Sequence, residues 1–281
     1  MRRRYGEYAF GPAMPSVAAL RIEIERALER RFPAALTPVP RTISETASTG
    51  VPEIDALLDG GLPLGAISEV TGPQSSGRTG LALSFLAQET RDERVCAWVD
   101  AGDAFDPESA AASGVILRQL LWVRCRAAAA QCAESGSRIS PGWKGKTQAT
   151  IWTRLDQALR ATDLLLQAGG FAAIVLDLGD MAPEHGCRIP LATWFRFRQA
   201  ADRTRCCLVV LGQTGYAQSS AAVVLECAPC EPHTAGGTVL NGFSFEARRG
   251  RQRFTPGMQS AKKPPASTWS AASAWEAEER A

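Results

Sequence analysis

The chain has 281 residues, 45% hydrophobic and 21% charged, with a net charge of +2. That is an ordinary globular composition, long enough for one large α/β domain or two modest ones. The near-neutral balance excludes a whole-molecule field that gathers nucleic acid, so any such binding rests on local basic patches.

In chain order, residues 1–15 read as irregular, and residues 16–32 as an amphipathic helix with Val17, Leu20, Ile22, Ile24 and Leu28 among charges. Residues 33–47 hold three prolines and read as a linker. From about 48 to 228 the pattern is α/β. Apolar runs recur at 66–71, 95–99, 172–176, 206–211 and 222–227, as expected of strands buried on both faces of a largely parallel sheet. Between them the clearest helix is 151–167, with Trp152, Leu155, Leu159, Thr162 and Leu166 on one face. Residues 126–150, rich in Ala, Ser and Gly with Lys144 and Lys146, read as an insertion or mobile loop. Residues 242–255 read as a terminal hairpin whose turn carries Arg248, Arg249, Arg251 and Arg253. From Pro256 the composition predicts a disordered tail. The expected domains are thus 1–47, an N-terminal helix and linker, then 48–255, the core with its C-terminal hairpin, then the tail, 256–281.

One motif carries chemistry. Gly72-Pro-Gln-Ser75-Ser76-Gly77-Arg78-Thr79-Gly80 follows a predicted strand and opens a predicted helix. This is the context of the phosphate-binding loop G-x-x-x-x-G-K-[ST]. Gly72 and Gly77 let backbone N–H groups converge on phosphate oxygens, and the helix start aims its positive dipole end at the same anion. Thr79 is placed to offer its hydroxyl to Mg²⁺. Arg78 stands where lysine is the rule; it keeps the charge but is longer, planar and forked. A glycine-rich turn that binds nothing is the competing reading. Downstream, Phe171-Ala-Ala-Ile-Val-Leu-Asp177 is an apolar strand ending in an acid, the position for an aspartate that holds the water shell of Mg²⁺.

These residues resemble the bacterial RecA recombinase family. The likeness runs from Ser48-Thr-Gly through Gly60-Gly-Leu-Pro-Leu-Gly to the loop at 72–79. It continues in Trp98-Val-Asp-Ala-Gly-Asp-Ala-Phe-Asp106-Pro and in Leu208-Val-Val-Leu-Gly-Gln213. The resemblance implies an α/β RecA-like P-loop core with a largely parallel central sheet flanked by helices. It also implies an ATP and Mg²⁺ site at Gly72, Ser75, Ser76, Gly77, Arg78, Thr79, Gly80, Asp106, Asp177 and Gln213. Asp106 matches the family's adenine contact and Gln213 its nucleotide-sensing glutamine. The family's catalytic glutamate falls on Gly102, so no catalytic residue is carried over. Asp103 is next door, but adjacent residues at a strand end point opposite ways, which makes it a weak substitute. The two DNA-binding loops, near Met181–Pro190 and Thr214–Ser220, look short.

The stretches Leu159–Asp180 and Ile189–Arg198 are similar to the ImuA-type RecA-like paralogues of bacterial mutagenesis cassettes. That resemblance implies an accessory or scaffold role in the SOS response and error-prone translesion synthesis. Its partners would be an inactive Y-family polymerase homologue and an error-prone replicative polymerase, and self-association is a further expectation. The rival readings are an active DNA-dependent ATPase that forms filaments on single-stranded DNA, and an ATP-sensing regulatory switch.

Secondary candidates carry paired readings. In Trp194-Phe-Arg196-Phe-Arg198, aromatics interleaved with arginines suit single-stranded DNA; at helical spacing Trp194 and Phe197 fit a core, the favoured reading. Arg248, Arg249 and Arg251 fit phosphate contact or a solvated turn. The helix at 16–32 fits a polymerisation arm or a lid. Trp269 and Trp275 fit partner anchors in the tail. Cys227, Cys230 and His233 have zinc-ligand spacing, with Cys187 or His185 as a remote fourth, but no second pair supports them, and two structural thiols is the favoured reading. No run of about 18 apolar residues occurs, and Met1-Arg2-Arg3-Arg4 has no apolar stretch behind it. Neither a membrane span nor a secretory signal is expected, and a cytoplasmic location is.

Overall fold

The computed structural model describes residues 45–126, 143–235, 239–252 and 266–272. The predicted N-terminal helix, Arg253, Trp275 and most of the predicted tail lie outside them. The elements in chain order are β1 (Thr46–Ala47), α1 (Pro52–Leu57), β2 (Leu62–Pro63), β3 (Ile67–Thr71), α2 (Arg78–Arg91), β4 (Cys96–Asp100), α3 (Pro107–Ala112), β5 (Leu120–Arg124), α4 (Trp143–Ala168), β6 (Ala173–Asp177), α5 (Pro183–Gly186), α6 (Leu191–Thr204), β7 (Cys207–Gly212), β8 (Ala221–Cys227), β9 (Glu231–Ala235), β10 (Val239–Gln252) and β11 (Ala266–Ala272).

A nine-stranded sheet has the order β11-β10-β8-β3-β7-β6-β4-β5, with β9 also paired to β10. From β8 to β5 all neighbours are parallel. The three C-terminal strands are antiparallel additions at one edge. This is the α/β architecture expected from the apolar runs, with a largely parallel sheet covered on both faces. Alternation along each strand divides the core in two. Cys96, Trp98, Ala173, Val175, Val209 and Leu211 pack on the face covered by α2, with Phe85 and Leu86. Ala97, Val99, Ile174, Leu176, Leu208 and Val210 pack on the opposite face with Leu155 and Leu166 of α4 and Trp194 and Phe197 of α6. Strands buried on both sides read as unbroken apolar runs for this reason.

Four details differ from the sequence reading. Residues 143–150, read as loop, are the first turns of α4. An extra strand, β5, forms at the sheet edge and pairs with β4. Arg248, Arg249 and Arg251 do not sit in a turn. They lie within β10, which bulges between Arg249 and Arg251 where it pairs with β8. Within the predicted disordered tail, residues 266–272 form β11 against β10. The reason is aromatic: Trp269 stacks on Phe245 with ring centroids 5.3 Å apart, so the strand gains a packing partner that composition does not reveal.

Trp194 and Phe197 are fully buried and meet edge to face at 5.9 Å. Trp194→Ala is expected to cost about 3–5 kcal/mol of stability. Urea denaturation followed by circular dichroism checks this, and a loss below about 1 kcal/mol would mean the helix is not fastened there.

Candidate nucleotide site

The loop at 72–77 leaves the C-terminal end of β3, which lies between β7 and β8 in the parallel part of the sheet. Its path is fixed by close backbone approaches. Gly72 donates its N–H to the Gly212 carbonyl at 3.2 Å, and a Cβ on Gly72 would come within 2.4 Å of the Cys227 carbonyl oxygen. Ser75 has φ +58° and accepts a hydrogen bond from the Cys230 N–H at 3.0 Å. Gly77, at φ +80°, precedes α2, and a Cβ there would strike the Phe245 ring at 2.6 Å. Neither glycine has room for a side chain, so both are structural requirements of this turn. Gly80 and Thr79 are exposed at the start of α2.

Two polar atoms in this turn are buried with no partner: Ser76 Oγ and Arg78 Nη1. Arg78 is only 8% exposed. A guanidinium taken out of water without an acceptor is costly, and a hydroxyl in the same state adds to the cost. Both would be satisfied by an anion seated on the loop, in line with the free N–H groups at the start of α2. The residues present therefore fit a phosphate group.

The loop borders a cavity of about 230 Å³ lined by Arg78, Thr79, Trp98, Phe105, Asp106, Ser109, Asp177, Gly179 and Asp180, among others. Asp177 ends β6, beside the loop, and accepts the Gly179 N–H at 2.9 Å. Burial pushes its carboxyl up to about 6; the charges of Asp100 and Asp180 push the same way, against the Gly179 hydrogen bond and the Arg78 charge. Asp106 caps α3, accepting the N–H groups of Glu108 and Ser109 and the Ser109 hydroxyl; that hydroxyl above all holds its carboxyl below the usual range. Gln213 donates from Nε2 to the carbonyls of Gly179 and Met181, each at 3.3 Å, and so ties the end of β7 to the turn after β6.

The structure thus gathers Arg78, Thr79, Asp106 and Asp177 on one cavity, with Ser76 and Gln213 beside it. Asp103 is elsewhere. Its carboxylate is paired with Arg124 at 2.6 Å and lies 3.8 Å from Arg126, outside the lining of the cavity. Asp103 is thus engaged by Arg124 of β5 and by Arg126 just beyond it. Gly102 faces Asp180, whose Oδ2 would be 3.1 Å from a Cβ at position 102.

Two residues escaped the sequence reading. Asp180 stands on the turn after β6, and its only sequence signal is a second acid three residues past Asp177. Glu69, buried in β3, accepts the N–H groups of Tyr216 and Ala217 and fastens the loop after β7. Burial still holds its carboxyl above the usual range. A lone Glu within an apolar strand was the signal available there.

The nucleic-acid candidates are largely engaged within the chain. Arg196 pairs with Asp163 of α4 at 3.1 Å, and Arg198 lies over the Phe195 ring at 5.3 Å. Arg248 pairs with Glu246, Arg249 reaches the Leu57 carbonyl and Asp59, and Arg251 donates to the Gln218 carbonyl. Among the described residues no group of three His, Cys, Asp or Glu side chains is placed to hold a metal ion, so Cys227, Cys230 and His233 do not converge.

The raised Asp177 carboxyl has a consequence for stability. A carboxylate whose folded pKa of about 6 exceeds its unfolded value stabilises most below about pH 4, and that contribution is lost as pH rises through 6. Asp177→Asn keeps an oxygen for Gly179 and removes the buried charge. The variant is expected to melt above the parent at pH 7.5, with the gap closing as pH falls from 6 toward 4. Paired thermal melts across that range check it, and a gap independent of pH would contradict it.

Comparison with known proteins agrees with this geometry. Residues 19–133 match the family model of the RecA N-terminal domain. The protein RecA of Allorhizobium ampelinum is 32% identical over 184 residues, 60% of this chain and 43% of that relative. The RecA of Crocosphaera subtropica is 42% identical over 99 residues, 35% of this chain and 28% of its own. The chain therefore spans less than half the length of these relatives. The RadB recombinase crystal structure superposes with a TM-score of 0.50 at 18% identity, covering 75% of this chain and 92% of its own, which supports the fold. With a glycine-rich loop at the end of β3, an acid at the end of β6 and Gln213 following β7, this chain has a RecA-like fold and is similar in sequence to the RecA recombinase family over residues 19–133.

Proposed function

We propose that this chain is a RecA-like accessory protein of mutagenic DNA repair that holds ATP and Mg²⁺ at Gly72–Gly80 and hydrolyses ATP weakly. The observation that carries the reading is the buried Arg78, whose Nη1 lacks an acceptor, in a loop whose Gly72 and Gly77 leave no room for side chains. An anion is the ligand that such a pocket rewards. Thr79 and Asp177 are the residues that would hold Mg²⁺, and the metal would supply charge neutralisation between phosphate oxygens. Asp106 and Ser109 also line the cavity, and they are the residues that would meet a nucleotide base.

Weak turnover is supported by the missing carboxylate at Gly102 and by the capture of Asp103 by Arg124. The described arginines that suit DNA are mostly spent on internal contacts, which favours work through protein partners over gripping DNA. The ImuA-type resemblance in 159–180 and 189–198 supplies the partner class: an inactive Y-family polymerase homologue and an error-prone replicative polymerase, in the SOS response. Among the described residues no helix is long and apolar enough to cross a membrane.

The test is co-expression with the products of neighbouring genes. A complex containing a polymerase is expected, with slow ATP turnover that single-stranded DNA barely raises. A chain that purifies alone, coats single-stranded DNA as filaments and shows fast DNA-stimulated turnover would instead support the recombinase reading. Gly102→Glu is not expected to restore turnover, because the new side chain enters space that Asp180 fills.

A further inference from the structure

The carboxylates around the cavity are not equivalent. Asp100 accepts the N–H groups of Ala104 and Phe105 and the indole N–H of Trp122. Asp106 is occupied as the cap of α3. Asp103 is held by Arg124, and Asp177 accepts from Gly179. Asp180 is exposed, borders the cavity, and takes no hydrogen bond or ion pair among the described residues.

It sits against Gly102. A Cβ at 102 would lie 3.1 Å from Asp180 Oδ2 and 3.3 Å from Asp180 Cβ, closer than ordinary contact. A side chain at 102 would crowd the Asp180 carboxylate. The neighbouring residue, Gly179, meets the opposite charge: the unpartnered Arg78 Nη1 is 3.4 Å from where a Cβ on Gly179 would be. The Asp180 carboxylate and the buried Arg78 therefore border one cavity, with Gly179, the residue before Asp180, against Arg78.

We propose that Asp180 is the carboxylate that orients and deprotonates the attacking water during the residual turnover of ATP, a role that rests on the reading of the P-loop as an ATP site. The water oxygen bonds to the γ-phosphorus as the β–γ bridging P–O bond breaks. That bond's electron pair leaves on ADP. The water proton passes to Asp180 and then to solvent, which leaves ADP and phosphate. A carboxylate with no other partner is free to make this contact, and general-base help of this kind contributes about 10²–10⁴ in rate.

The test compares full-length parent, Asp180→Asn and Asp103→Asn. Three quantities are read for each: affinity for a fluorescent ATP analogue, the Mg²⁺ concentration that half-saturates binding, and affinity for ADP with aluminium fluoride, which mimics the transferring phosphate. Phosphate release is measured alongside. Asp180→Asn is expected to keep ATP affinity and Mg²⁺ requirement within about twofold, to weaken the aluminium fluoride complex, and to lower phosphate release about tenfold or more. Asp103→Asn should leave all of these unchanged. Unaltered phosphate release in Asp180→Asn overturns the proposal, as does a parent that binds ATP and releases no phosphate. A shifted Mg²⁺ requirement overturns it by making Asp180 a metal ligand. A parent that binds no ATP overturns the nucleotide-site reading itself, and this proposal with it.

Discussion

A buried guanidinium with one nitrogen left without a hydrogen-bond acceptor is the constraint on which the candidate site depends. Arg78 is carried into the interior at the first turn of α2 and finds no acceptor at Nη1. A cation in that position costs several kcal/mol unless something answers it. The nearby acids answer only in part. Asp177 is lowered by Arg78 yet remains raised overall, because burial and the charges of Asp100 and Asp180 outweigh that attraction. The site thus holds both a buried guanidinium nitrogen without an acceptor and an acid whose carboxyl burial pushes up. A phosphate on the cation and Mg²⁺ by the acid would relieve both, so the site's electrostatics and its proposed ligand are two sides of one constraint.

The surrounding chain holds this strained centre in place. The loop cannot relax outward, because Cys227 and Cys230 of the β8–β9 segment meet it through backbone contacts at Gly72 and Ser75. Phe245 of β10, stacked on Trp269 of β11, closes over Gly77. The antiparallel C-terminal strands are therefore part of the site and not an appendage. On the other side, Glu69 fastens the loop after β7 directly to the strand that feeds the P-loop. Gln213 ties that same region to Gly179, the residue against Arg78. These links are short physical routes by which a ligand on the loop would be felt at residues 179–217.

Much of this was legible in the residues. Strands buried on both faces write themselves as unbroken apolar runs, so β3, β4, β6, β7 and β8 were placed to within a residue or so. The strand, glycine-rich loop and helix at 67–91 were visible because the glycines and Thr79 have a recognisable spacing between an apolar run and a helical one. What was hidden depends on contacts distant in sequence. β11 forms because Trp269 meets Phe245, and nothing in Ala266–Ala272 alone says so. The arginines of β10 read as a turn because charge clusters usually mark solvated loops, whereas Arg249 and Arg251 reach Leu57, Asp59 and Gln218 across the fold. Edge strand β5 is partly exposed and lacks the apolar run that marked its neighbours. Asp180 did not stand out in the sequence because its closeness to Gly102 and to the cavity is a relation only three-dimensional structure displays.

Arg78 is the cation on which the proposed phosphate site depends. The most direct measurement is calorimetric titration of Mg–ATP into the parent, Arg78→Lys and Arg78→Ala. Saturable binding by the parent is predicted, retained in Arg78→Lys and weakened about tenfold or more in Arg78→Ala, the size of one charge-assisted contact to phosphate. Equal affinity in the parent and Arg78→Ala, or no binding by the parent at all, would contradict it.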